Sequence, residues 1–500
     1  MSKYPFRFGN FKHQSREFRK YRNKRARFLA WTMRTGKTKA MIDLACYARE
    51  KYNIDGVLVF APNGVHETWV EEALPDHHWE RVKFDAIAWE TEMASISDRD
   101  SKPAKIRKAE WQNRLSETIK HSPNLVWFTV GSDSMIHPAA RKAINLFRLK
   151  RKKFLVIFDE AHDFRQPGAK RTKMARAISK KAMIVRNLSG TSTLNNPLHA
   201  YSQYGLLKDK FFGRKTFQSF KKKYATYVTQ HKRNGDKYPK LEGFKNLEDL
   251  RDRMAKATSY VRREDCEDLP PTTTVNRYVE MTDKQQRIYD RTLREFLIDI
   301  EKGGEVSVGE NTMRMIKLQQ VLSGYLIDEY GDVHDVVDRD HNPRIKALMS
   351  EITFTPGKSI VWCQYRQDIK RVAEALRELQ IGFVEYHGGV SRAQRKINRK
   401  EFKTSKYANV FLGQPAAGGV GLNLTPATDM FHYSHTWNSI IRLQSDERAT
   451  VTGGISVGIT NLVMRDTVDE YILERIRKNV NVFDFLEGRK PFLELQDLRR

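Results

Sequence analysis

Apolar positions along the chain fall into two alternating series. In the first, short apolar runs at residues 56–62, 124–130, 154–158 and 183–188 are separated by stretches of helical periodicity. The second begins at Lys358, with runs at 359–363, 381–386, 410–412 and 430–433 and a clear helical stretch over 366–378. A continuous apolar run bounded by turn residues predicts a strand buried on both faces. Strands of that kind alternating with helices predict a mostly parallel sheet with helices on both sides. The expected fold class is therefore α/β, with two such sheets and helical insertions. The dipeptide Pro270-Pro271 after Leu269 marks the boundary between them. This gives a first domain over 1–268, with a helical insertion at about 200–265, and a second over 269–500, with one at about 283–345. Residues 11–21 carry Phe11, Gln14, Phe18 and Tyr21 at helical spacing, and the polar stretch 85–122 is also expected to be helical.

Composition narrows the class. With 500 residues, 40% of them hydrophobic, the chain can bury sizeable cores and is not a disordered protein. Its three cysteines, Cys46, Cys266 and Cys363, lie far apart, with neither metal-ligand spacing nor the even count of a disulfide framework. No apolar run approaches the length of a membrane span, and residues 1–7 lack the apolar core of a signal peptide. The expectation is a cytoplasmic, nucleoid-associated protein with reduced thiols and no membrane partner. The formal net charge of +28 changes the picture most. An excess this large favours a polyanionic partner, nucleic acid above all.

Two stretches carry candidate chemistry. Trp31-Thr32-Met33-Arg34-Thr35-Gly36-Lys37-Thr38 leads into a predicted helix at 39–46. A loop at a helix start offers unpaired N–H groups and a positive dipole end, which suits phosphate. Arg34, Thr35, Gly36, Lys37 and Thr38 are thus candidate nucleotide ligands. Gly36 permits close approach, Lys37 reaches the outer phosphates, and the Thr38 hydroxyl can ligate magnesium. Trp31 stands where the general phosphate-loop pattern has its first glycine. Further on, the strand at 154–158 ends in Asp159-Glu160-Ala161-His162. Carboxylates at the C-terminal edge of an open α/β sheet sit where ligands bind. One of them, Asp159, can hold magnesium, and the other, Glu160, can activate a water. Upstream, the Gln14 amide donates and accepts at once and could read an adenine edge.

Other motifs recur in a fixed order. Leu188-Ser189-Gly190-Thr191 is followed by Asn196. Arg262-Arg263 is followed by Leu269-Pro270-Pro271, Met281-Thr282, Gln285 and Tyr289. Gln364-Tyr365 and His387-Gly388 precede the run 417–425, which contains Gly418, Gly419, Val420 and Gly421. Trp437-Asn438 then leads to Gln444 and Arg448. From about Phe11 to Glu470 this series resembles a superfamily 2 helicase of the Swi/Snf-type ATP-dependent DNA translocase family, in the compact form found in bacteriophages and bacteria. The resemblance implies two RecA-like domains with ATP and magnesium at their cleft. Lys37, Thr38, Asp159 and Glu160 would come from the first domain, and Gln444 and Arg448, with Gly419 and Gly421, from the second. It implies a DNA-dependent ATPase moving on duplex or branched DNA, as in fork or junction migration, recombination or repair. The alternatives are a helicase tracking one strand of DNA or RNA and a weakly active DNA-binding scaffold. Ser192 stands where the family has proline, and Val451 where it has a second arginine. Phe211, Phe212 and Phe217 are candidates for base stacking, with core packing as the competing role. Nothing in the sequence fixes the oligomeric state; a monomer is compatible with it.

Overall fold

A computed structural model describes residues 11–32, 35–97, 100–190, 196–231, 237–262, 272–301, 308–417, 422, 424–449 and 456–486. Several residues singled out above lie outside this set: Arg34, Thr191, Ser192, Arg263, Leu269, Pro270, Pro271, Gly418, Gly419, Val420, Gly421, Val451 and Cys266.

The first lobe is built from β1 (Ala26–Trp31), β2 (Gly56–Ala61), β3 (Phe84–Ala88), β4 (Leu125–Gly131), β5 (Phe154–Phe158) and β6 (Ile184–Leu188). It adds a ribbon of β7 (Ala225–His231) and β8 (Lys237–Phe244), and then β9 (Thr258–Val261). Seven strands form one sheet in the order β3-β4-β2-β5-β6-β1-β9, every pair parallel. Alternate residues of each central strand enter opposite cores, as the two-residue period of a strand requires. Phe28, Leu58, Phe60, Val156 and Phe158 pack on one face, and Leu29, Trp31, Val57, Val59 and Ile157 on the other. Both faces are therefore dry, which is why these strands read as unbroken apolar runs.

The second lobe holds β10 (Thr272–Val279), a short hairpin of β11 (Tyr325–Ile327) and β12 (Val333–Asp335), β13 (Lys358–Trp362), β14 (Phe383–Tyr386), β15 (Val410–Gly413), β16 (Ala427–His432) and β17 (Val457–Met464). Its six-stranded sheet has the order β10-β17-β16-β13-β15-β14, again parallel throughout. Two cores flank it, with Val361 and Leu412 on one side and Ile360, Trp362 and Phe411 on the other. A fully buried ion pair, Arg344 with Asp469, ties the helix Pro343–Phe354 to the start of the helix Val468–Leu486. These are two parallel-sheet α/β lobes, the class expected from the alternation.

The structure corrects the reading in several places. Residues 85–122 are not all helical, since Phe84–Ala88 is an edge strand and the helix runs over Lys102–His121. The insertion at about 200–265 is not purely helical either. It contains the ribbon β7–β8, where Thr226, Tyr227, Val228 and Thr229 supply strand formers, and β9, which completes the first sheet. The insertion at 283–345 has two helices, Asp283–Glu301 and Val308–Leu322, followed by the β11–β12 hairpin. Phe212 is a core residue, and Phe211 and Phe217 pack against the same core, so the packing role holds for all three.

Candidate functional site

β6 lies between β5 and β1, so the C-terminal ends of these three strands are neighbours. The loop after β1, the acidic pair after β5 and Ser189 after β6 therefore converge on one edge of the sheet. Gly36 precedes the helix Lys37–Tyr52 with φ +78°, a left-handed conformation that favours glycine. A Cβ there would also come within 2.0 Å of Gln14 Nε2. Gln14 is buried and clamps the loop: its Nε2 donates to Gly36 O at 3.1 Å, while its Oε1 accepts from Phe11 N at 2.9 Å. His13 adds a second brace, with Nε2 2.8 Å from Thr35 O. The Thr35 hydroxyl donates back to Thr32 O at 2.8 Å. Lys37 is the first residue of the helix, and its Nζ donates to Trp31 O (2.8 Å) and Thr32 O (3.1 Å). Thr38 follows in the first helical turn.

The two carboxylates are buried side by side. Asp159 Oδ1 accepts from Glu160 N at 3.1 Å and its Oδ2 from Trp69 Nε1 at 3.0 Å. Burial, and then the neighbouring Glu160, push its carboxyl up to about 6, while the Trp69 hydrogen bond and the Lys37 charge pull the other way. Glu160 has φ +52°, a strained conformation for a residue with a side chain. Burial would raise its carboxyl. His162, through Nδ1 at 3.1 Å, outweighs that together with Lys37 and the Ser189 hydroxyl at 3.2 Å, and holds it below the usual glutamate range. Glu160 is thus kept ionised in a dry site, and Lys37 is near enough to act on both acids.

Sequence reasoning gave Trp69 no role beyond a helical aromatic. It starts a π-helix, Trp69–Ala73, set between the short helices Val65–Thr68 and Leu74–His77. Such turns are rare and recur at functional sites. The signal available in the sequence was only an aromatic with one donor, which when buried must find an acceptor. Glu71 and Glu72 of the same turn face the second lobe, 3.2 Å from Lys396 Nζ and 3.4 Å from an Arg399 Nη. Trp69→Phe keeps an aromatic ring tilted against Trp127 and removes only the donor to Asp159. Loss of one hydrogen bond to a charged group predicts a fall in ATP turnover of roughly tenfold to a hundredfold with ATP affinity little changed. Steady-state phosphate release and nucleotide titration check this, and unchanged turnover would reduce Trp69 to a packing residue.

Of the residues expected from the second lobe, Gln444 and Arg448 are described, while Gly419 and Gly421 lie outside the described residues. Gln444 sits on the helix Ser439–Asp446, buried, and its Nε2 has no hydrogen-bond partner among the described residues. Arg448 is not on that helix. The helix ends at Asp446, and Arg448 is buried in the turn that follows. The Arg448 carbonyl accepts from Leu424 N at 3.1 Å, which anchors the end of the glycine-rich segment. Arg442, the buried arginine on this helix, is committed to Asp446 (3.0 Å) and Asn461. Gln285 donates to Val321 O (2.7 Å) and Leu322 O (3.1 Å), and the Tyr289 hydroxyl accepts from Val468 N (2.8 Å), so both tie helices of the second lobe together.

Among the described residues no cluster of three or more His, Cys, Asp or Glu could enclose a metal, and no helix is long and apolar enough to cross a membrane. Magnesium does not require such a cage, because it is held by one or two carboxylates together with substrate phosphates. The buried, proton-attracting Asp159 and the Thr38 hydroxyl are hard oxygen donors of the right kind.

Known proteins resemble this chain at low sequence identity. An uncharacterized ATP-dependent helicase of Mycoplasma genitalium is 24% identical over 332 residues, covering 65% of this chain and 30% of that protein. The SWI/SNF-related matrix-associated actin-dependent regulator of chromatin subfamily A-like protein 1 of Xenopus laevis is 22% identical over 458 residues, covering 91% of this chain and 41% of its own. The chain thus spans less than half the length of these relatives. The solved Sulfolobus solfataricus SWI2/SNF2 ATPase core in complex with dsDNA aligns over 99% of this chain and 98% of its own at 18% identity, with a TM-score of 0.41. The model of the helicase conserved C-terminal domain matches residues 343–451. Because the SNF2-related domain model matches residues 17–325, more than half of the sequence, the chain belongs to the SNF2-related family.

Proposed function

We propose that the protein is an ATP-driven translocase on DNA, acting on duplex or branched substrates. The observation that carries this reading is the single dry site formed by Lys37, Asp159 and Glu160 at the strand ends of one lobe, in a chain whose second lobe carries Gln444 and Arg448. Lys37 exchanges its two carbonyl partners for the outer phosphates of ATP. Asp159 and Thr38 would hold magnesium, which when bound would supply positive charge against the phosphates. Glu160, kept ionised by His162, accepts the proton of the attacking water. Ser189 touches Glu160 from the end of β6, so the presence of the γ-phosphate can be passed to that strand. Arg448 completes the site when the lobes close, and release after hydrolysis opens them again. Exposed ion pairs such as Lys396–Glu71 contribute little and do not lock either state.

The excess positive charge supports a nucleic acid gripped by its phosphates, and family membership favours DNA. The deciding experiment is ATP turnover measured with no nucleic acid, with single-stranded DNA, with duplex and with a four-way junction. Duplex or junction should stimulate most, and junction migration should be easier to detect than unwinding of a blunt duplex. Stimulation by single strands alone would transfer the function to strand-tracking unwinding. DNA affinity should also fall steeply with salt and depend little on sequence. A flat salt dependence in an anisotropy titration would contradict phosphate-based grip.

A further inference from the structure

The β7–β8 ribbon stands apart from both sheets. Its base is buried at Tyr224 and Ala225. Beyond that, the paired residues face solvent on both sides. Tyr227 pairs with Leu241 on one face, while Val228 with Lys240 and Gln230 with Tyr238 occupy the other. Tyr227, Val228, Tyr238 and Leu241 are each 36–37% exposed. A lone two-stranded ribbon is only marginally stable in water, and apolar side chains left open on both of its faces mark an interaction element.

Charge indicates what it meets. Residues 221–245 contain eight Lys or Arg and two acids. At the base, Lys223 and Arg253 are spent on Asp249. On the ribbon, Lys237 and Lys240 have no acidic partner among the described residues. Lys221 lies 5.5 Å from the Tyr227 ring centroid, so a cation already flanks one of the exposed aromatics. A second copy of so basic a ribbon would be repelled. A polyanion with flat apolar faces is complementary, because cations track its backbone while aromatic rings stack on its bases. Bases inside a duplex hide those faces, and unpaired bases expose them.

We propose that this ribbon is a DNA-contacting arm that engages unpaired bases at a branch point, with Tyr227 and Tyr238 stacking on opposite faces and Lys237 and Lys240 on the adjoining phosphates. The proposal rests on the reading of the substrate as DNA and adds to it a contact outside the ATP site. The arm can also report to that site. Its supporting helix Phe217–Tyr224 packs on the turn Pro197–His199, and the neighbouring helix Ala200–Leu207 packs on the turn Ala161–Phe164 directly after Glu160.

The test uses the full chain, fluorescein-labelled blunt duplex and a splayed fork with unpaired arms, in anisotropy titrations alongside DNA-free ATP turnover. Tyr227→Ser with Tyr238→Ser should weaken fork binding roughly five- to a hundredfold per stacked ring and leave blunt-duplex binding nearly unchanged. The Phe replacements should restore fork binding. Lys237→Ala with Lys240→Ala should lower the salt slope for the fork by up to about two. DNA-free turnover should stay at the wild-type level in all of them. Unaltered fork affinity in both double variants would overturn the proposal, and so would equal losses on fork and blunt duplex. A wild-type solution mass that falls when the tyrosines are replaced would overturn it too, by making the ribbon an interface between copies. If wild type itself shows no DNA-stimulated turnover on any substrate, the translocase reading fails. If duplex stimulates wild type and variants alike and fork affinity is unaltered, only the ribbon proposal fails.

Discussion

Glu160→Gln is expected to bind ATP normally and to turn it over roughly a hundred- to ten-thousandfold more slowly in the presence of DNA, the range for losing a positioned general base. The amide keeps the shape and can still accept from Ser189, but it cannot take a proton and cannot hold the charge that His162 stabilises. Lys37→Ala should behave differently. It removes the cation that reaches the phosphates, so affinity and turnover should fall together. Single-turnover phosphate release with parallel titration of a fluorescent nucleotide separates the two. Wild-type turnover in either variant would show that the acids and the loop after β1 are not the hydrolytic site.

The second large effect is expected at Arg448. A cation meeting the charge that develops on the transferred phosphoryl group is worth about a thousandfold to a hundred-thousandfold in rate. If Val451 stands where the family has a second arginine, Arg448 is expected to carry this role alone. Arg448→Ala should abolish DNA-stimulated hydrolysis while leaving nucleotide binding to the first lobe intact. Val451→Arg should be tolerated. Retained activity in Arg448→Ala would move the role to another cation, and Arg442 is a poor substitute because its guanidinium is already bound to Asp446 and Asn461.

The central strands and the acids were legible in the sequence because burial on both faces leaves an unbroken apolar run, and because phosphate chemistry needs Gly-Lys-Thr and paired carboxylates in fixed places. β1 was harder to see. Its Arg27 interrupts the apolar run, and only the structure shows that residue buried against Glu17 at 3.2 Å. β10 reads as loop because its first seven residues are exposed along a sheet edge. β17 carries Thr460 and Asn461 inside a mostly apolar strand, and that asparagine is satisfied by Arg442 and by Asn276 at 2.8 Å. Trp69 could not be told from a core aromatic, because the acceptor that defines its role lies ninety positions away in the chain. Gln285 and Tyr289 show the converse: they stand in the ordered motif series, yet the structure gives them packing work.

The pairing of β10 with β17 also bears on how the chain folds as it is made. The first sheet needs no residue beyond Val261, so it can close while the rest of the polypeptide is still being synthesised. β10 is different. Among the described residues its one partner in the sheet is β17, and Thr272 lies opposite Val457. The second lobe's opening strand must therefore wait, unpaired, until nearly two hundred further residues have emerged. Parallel pairings over such separations form slowly and leave edges open to wrong partners. The run of threonines that begins this strand, Thr272, Thr273 and Thr274, is polar and tolerates that wait in water better than an apolar strand would. A stalled or truncated chain ending before β17 should accumulate with a folded first lobe and an aggregation-prone second half.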